Sequence, residues 1–92
     1  MDKVGRTLIR AAKLIAERGH CKYMLKDSQG RLCMYGAILK AEDEVSYYNA
    51  RSEHRVEAMF GPIGDFVGWN NQQERTAEEV IDALIAAAYW ED

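Results

Sequence analysis

Cys33 is the residue with the most chemistry in prospect. The helical spacing around it places it at the start of a helix, where the dipole lowers the pKa of an accessible thiol, and His20 or His54 could then act as its base in a nucleophilic pair. The opposing reading is packing, because cysteine is among the most buried residue types and Gly36, Ala37 and Ile38 follow it in an apolar run. His20, Cys21, Cys33 and His54 are all zinc-ligand types. They lack the paired Cys-x₂₋₄-Cys or His-x₃₋₅-His spacing of structural sites, so no metal centre is expected. The acidic run Glu42-Asp43-Glu44 lacks the Asp-x-Asp-x-Asp-Gly pattern of a calcium loop and reads as a solvated charge cluster. No phosphate loop, dinucleotide fingerprint or nucleophile elbow occurs, so no cofactor is expected and the chain does not read as an enzyme.

These residues need elements to position them. With 92 residues, 48% of them hydrophobic and 29% charged, the chain has material for one core and one domain spanning 1–92. Val4, Leu8, Ala11, Ala12 and Ile15 recur at helical spacing and predict a first helix from about Asp2 to Arg18, closed by Gly19. Lys3, Arg6, Arg10 and Lys13 share its opposite face as a basic stripe, which suits a solvated surface, an acidic partner or phosphate. From His20 to Leu32 short apolar pieces surround the turn cluster Asp27-Ser28-Gln29-Gly30, consistent with a small hairpin or an irregular loop. Cys33 to Leu39 reads as the central helix, ending at or before the acidic run because carboxylates oppose the negative end of a helix dipole. Tyr47 to Asn49 carry no clear pattern. A short helix over Glu53–Phe60, with Val56, Met59 and Phe60 on one side, is stopped by Gly61-Pro62. Phe66, Val67 and Trp69 then fall in a Gly-punctuated stretch read as a loop pinned to the core. Thr76 and Glu79 form a capping box that opens a last helix, buried through Val80, Ile81, Leu84, Ala87 and Ala88. The fold expected is mainly α, a compact bundle of about four helices with at most one small β-hairpin.

Charge is divided along the chain. Residues 1–40 hold nine Lys or Arg against three acids and residues 41–92 hold three against twelve, so halves of +6 and −9 underlie the net −3. Such a division can neutralise itself within the fold, join two copies, or attract a charged partner. Nucleic-acid binding would use the basic stripe with Lys22, Lys26 and Arg31, and Tyr23 for stacking, against the repulsion of the acidic half. No secretory signal or membrane span is evident, so a cytoplasmic setting with free thiols is expected.

Three pieces together, Gly30-x-x-Cys33-x-x-Gly36-Ala37-Ile38, Trp69-Asn70 and Arg75-Thr76-x-x-Glu79-Val80, resemble an uncharacterised small-domain family of actinobacteria and their phages. Asn71 departs from that pattern, which has Asp after Trp-Asn. The resemblance implies no activity, only a setting: an actinobacterial cytoplasm, or a phage acting within one. Each piece also has a structural use, Trp69 as an apolar anchor, Asn70 as a turn partner, Arg75 as a tie. If exposed, Trp69, Asn70 and Arg75 form a partner-binding patch, since Trp and Arg dominate binding hot spots. The leading expectation is therefore a small non-enzymatic accessory protein, plausibly phage-encoded, that binds a host or phage protein or a second copy of itself. A nucleic-acid-binding module and a cysteine enzyme using Cys33 and His54 are the alternatives.

Overall fold

The computed structural model describes residues 1–46 and 51–90, which form five helices: α1 (Lys3–Arg18), α2 (Met34–Val45), α3 (Arg51–Phe60), α4 (Ile63–Asn71) and α5 (Ala77–Ala88). The helical class is as expected, with one helix more than the sequence indicates. Tyr47 to Asn49 lie outside the described residues.

α1 begins at Asp2, whose Oδ1 accepts from the Gly5 N–H at 2.8 Å, and ends at Gly19 with φ +96° and its N–H bonded to the Ile15 carbonyl. Leu8, Ala11, Leu14 and Ile15 are buried along it, and it packs against α5, α2 and α3. The hub of the fold is thus α1, not the Cys33–Leu39 helix. α5 opens on the Thr76–Glu79 capping box and buries Val80, Leu84, Ala87 and Ala88, with Ile81 half-buried. α3 buries Val56, and its Met59 and Phe60 pack at the margin of the core.

Two expectations are corrected. α2 does not stop at the acidic run but continues to Val45. Arg10 of α1 reaches Glu44 with an Nε–Oε2 distance of 2.6 Å, which offsets the unfavourable dipole, and Glu42 faces inward at 4% exposure. Residues 63–71 are a helix, not a loop. Gly64 and Gly68 weaken its intrinsic propensity, but fully buried Phe66, set edge-on to Tyr35 with ring centroids 5.9 Å apart, holds it against the core. Between α1 and α2 the described residues contain only two isolated bridges, His20 to Leu32 and Lys26 to Leu32, and no hairpin. No helix is long and apolar enough to cross a membrane among the described residues.

Candidate functional site

The segment between α1 and α2 folds on its own backbone. Cys21 N–H bonds the Leu32 carbonyl at 3.1 Å, Leu32 N–H bonds Gly19, Asp27 N–H bonds Arg31, and Cys33 N–H bonds Leu25 at 3.2 Å. Asp27 Oδ1 accepts from the Gln29 and Arg31 N–H groups, closing the predicted turn, and Gly30 takes φ +82° within it. At the outer edge three consecutive apolar residues meet solvent: Tyr23 at 80% exposure, Met24 at 52% and Leu25 at 48%. Tyr23 has φ +67°, a left-handed conformation that costs an L-residue with a side chain roughly 1–2 kcal/mol.

The C-terminal end of α4 grips this loop. Asn70, 1% exposed, accepts at Oδ1 from the Met34 N–H at 3.0 Å, and His20 Nε2 stands 2.7 Å from the same oxygen. An oxygen already accepting there makes His20 Nε2–H the donor. Asn70 Nδ2 donates to the Cys21 carbonyl at 3.3 Å and to Asn71 Oδ1 at 3.0 Å. Asn71 Oδ1 accepts in addition from the Tyr23 N–H at 2.9 Å. This role needs an acceptor and not a negative charge, so Asn71 fills it as an Asp would. The Lys22 ammonium bonds the carbonyls of Gln72 and Gln73 at 2.6 and 2.8 Å.

Trp69 and Arg75 support the grip from behind. The Arg75 guanidinium lies 3.9 Å from the Trp69 ring centroid, donates to the Trp69 carbonyl at 3.0 Å and pairs with Glu79 at 2.9 Å. Phe60 packs on the same indole. The residues read as a partner-binding patch therefore divide: Asn70 faces inward, and Trp69 and Arg75 are half-buried against one another. Burial follows from hydrogen bonding, since the Asn70 carboxamide is the partner of otherwise orphaned backbone groups at the α2 N-terminus and in the loop.

Cys33 is the N-cap of α2, its buried sulfur accepting from the Gly36 N–H at 3.2 Å. Gly36 lies against the loop so closely that a Cβ there would stand 2.0 Å from the Leu25 carbonyl oxygen. Cys21 is also buried. Its thiol is 3.2 Å from the Arg31 carbonyl oxygen, and burial pushes its pKa up. His54 is exposed on α3, whereas Cys33 is buried at the start of α2. No three His, Cys, Asp or Glu side chains are placed to hold a metal ion among the described residues. On the basic stripe Lys3, Arg6 and Lys13 are exposed, whereas Arg10 is held by Glu44 and Glu17 and Arg6 donates to the Met1 carbonyl. Near the loop, Arg31 is paired with Asp27.

A second feature escapes the sequence reading. Glu42 of α2 and Glu53 of α3, each 4% exposed, line a cavity of about 320 Å³ with Tyr35, Leu39, His54, Glu57 and Ile63. Burial, reinforced by the facing Glu53 carboxyl, raises the Glu42 pKa to about 8, with the Ser52 hydroxyl opposing. Burial and the charges of Glu53, Glu42 and Glu57 push the Tyr35 phenol up as well. Glu42 one position after Ala41, and Glu53 three before Val56, fall on the buried faces of their helices. That register was the available signal, and the habit of treating a carboxylate run as solvated hides it.

No curated protein and no solved structure matches the chain. A family model does match, over residues 1–89, and the chain belongs to that family of unknown function, DUF6197.

Proposed function

We propose that the protein is a small non-enzymatic accessory protein that acts by docking another protein on the apolar loop tip Tyr23-Met24-Leu25. The observation that carries this reading is the combination of exposure and positioning: three consecutive apolar side chains in solvent, on a loop held by a hydrogen bond from the Tyr23 N–H to Asn71 and by those from the Lys22 ammonium to Gln72 and Gln73. A chain relaxing freely would withdraw Tyr23 from its left-handed conformation, and such local strain is retained where function needs it. Ordering the loop before contact reduces the entropy lost on binding. Trp69, Asn70 and Arg75 serve in this reading by positioning the loop, with the half-buried edges of Trp69 and Arg75 at the border of the contact. The partner is a host or phage protein in an actinobacterial cytoplasm, or a second copy of the chain. The nucleic-acid alternative has fewer cations at its disposal, because Arg10, Lys22 and Arg31 are engaged within the fold.

The test replaces the tip by Tyr23→Ser, Met24→Ser and Leu25→Ser together, since none of the three side chains is buried. The variant keeps the melting temperature of the parent but loses the protein that co-purifies with the tagged parent from an actinobacterial lysate, or, for a self-partner, its concentration-dependent dimer in sedimentation. Equal capture and equal self-association by both proteins would overturn the reading.

A further inference from the structure

The cavity between α2 and α3 is independent of the loop and of the function proposed for it. Glu42 and Glu53 each have one carboxyl oxygen, Oε2, buried without a partner at good hydrogen-bond geometry, as is the Ser52 Oγ, although the Glu53 carboxyl and the Ser52 hydroxyl stand close enough to act on Glu42. Buried polar atoms in native proteins are satisfied with few exceptions, and each exception asks for a cause. Folding stability does not supply one, because two adjacent carboxyls out of water repel when ionised and apolar side chains of the same size would pack there at less cost. None of the groups that shift Glu42 is a cation. The arrangement therefore places two carboxyls on the wall of one cavity, with no cation among the groups that act on Glu42.

The shape and lining of that space select the ligand. A hard metal ion seeks six or more oxygens, and no three His, Cys, Asp or Glu side chains are placed to hold one ion among the described residues. The walls instead combine the two carboxyls with the Tyr35 ring and the aliphatic Leu39 and Ile63. A planar guanidinium offers several N–H donors to carboxylates, stacks on aromatic faces, and carries an alkyl stem that apolar walls can cover. The volume of about 320 Å³ falls at the small end of ligand sites. We propose that this cavity binds a guanidinium group on a short alkyl stem, with Glu42 and Glu53 as its acceptors and Tyr35, Leu39 and Ile63 around the stem.

Binding is then coupled to a proton. Glu42 retains its proton at neutral pH, and an incoming cation favours the ionised form, so the proton leaves as the ligand enters. The other titratable groups lining the site are Tyr35 from α2 and His54 and Glu57 from α3, while α4 contributes only Ile63.

Calorimetry with agmatine and with Nα-acetyl-arginine amide, at neutral pH in two buffers of different ionisation enthalpy, tests this. Saturable binding with proton release is expected, strengthening as pH rises toward 8, and weakened about tenfold or more in Glu42→Gln and in Glu53→Gln, as loss of a charge-assisted hydrogen bond requires. The neutral isostere N-butylurea should not bind. Tighter binding of the amide indicates an arginine side chain presented by a protein, and tighter binding of agmatine a free small guanidine. Absence of saturation at millimolar ligand, unchanged affinity in both Gln variants, equal binding of N-butylurea, or displacement of the guanidine by manganese each overturns the proposal. Should Glu53→Gln fail to fold, Glu42→Gln and the pH dependence of the parent still decide. Because the serine variant of the loop tip leaves this cavity intact, failure here and failure of the docking reading are separately visible.

Discussion

The two ends of α2 treat buried polar groups in opposite ways. At its N-terminus the Asn70 carboxamide meets Met34, His20, Cys21 and Asn71, and the Cys33 sulfur caps Gly36. Toward its C-terminus Glu42 lines a cavity together with Glu53, and one interior oxygen of each has no partner at good hydrogen-bond geometry. A satisfied network fixes one backbone geometry, whereas an unsatisfied one stores free energy that a proton or a ligand can release. The difference teaches that the first end is built to hold a loop still, and the second to respond to a change in charge.

The sharpest break in this contrast is Gly36→Ala. A methyl there meets the Leu25 carbonyl oxygen at 2.0 Å, and since that atom is backbone, either the loop or α2 must move. A loss of about 3 kcal/mol in denaturant unfolding is expected, a large fraction of a small domain's stability. Asn70→Ala comes next. It strands the Met34 N–H and the Cys21 carbonyl in the interior and should cost roughly 2 to 3 kcal/mol. Faster amide exchange at Met34 and Tyr23 would accompany it, and unchanged exchange there would show that the carboxamide does not hold the loop.

How far these roles were legible follows from what each residue type signals locally. Thr76 and Glu79 announce their capping box by spacing alone, and the structure contains it. The apolar repeat of α1 likewise predicts the buried face it forms. α4 was hidden because Gly64 and Gly68 make Ile63–Asn71 a poor isolated helix, and the contact that rescues it, Phe66 on Tyr35, joins residues distant in sequence. Asn70 was visible as a residue of interest but not as an interior one, since nothing local reveals that α4 ends beneath the 20–33 loop. Trp69, Asn70 and Arg75 thus lie at the end of α4 that grips the loop, while Tyr23, Met24 and Leu25, the exposed side chains there, went unselected except for Tyr23 as a stacking residue.

Glu42→Gln probes the opposite end and has a defined sign with pH. The Glu42 pKa is raised from 4.5 to about 8, so the folded state binds the proton more tightly than the unfolded chain does. Stability linked to this group is present in full below pH 4.5 and is lost as pH rises toward 8. Gln mimics the protonated form at every pH. The variant should match the parent in acid and exceed it increasingly as pH rises, by up to about 5 kcal/mol at alkaline pH at roughly 1.4 kcal/mol per pKa unit. A constant difference across that range would mean that Glu42 does not keep its proton.

The smallest change separates holding from display. Tyr23→Gly removes the steric cost of the left-handed conformation at φ +67° and returns part of the gain as greater freedom of the unfolded chain, so a net rise of about 0.5 kcal/mol is expected. The Tyr23 N–H still reaches Asn71 Oδ1, and the loop keeps its path. Partner binding should nevertheless fall, because the ring that stands 80% exposed is gone. A more stable protein that binds less would mean that the strain at Tyr23 serves recognition. If instead stability falls, the ring itself packs on its surroundings, and the exposed position would then be a structural one.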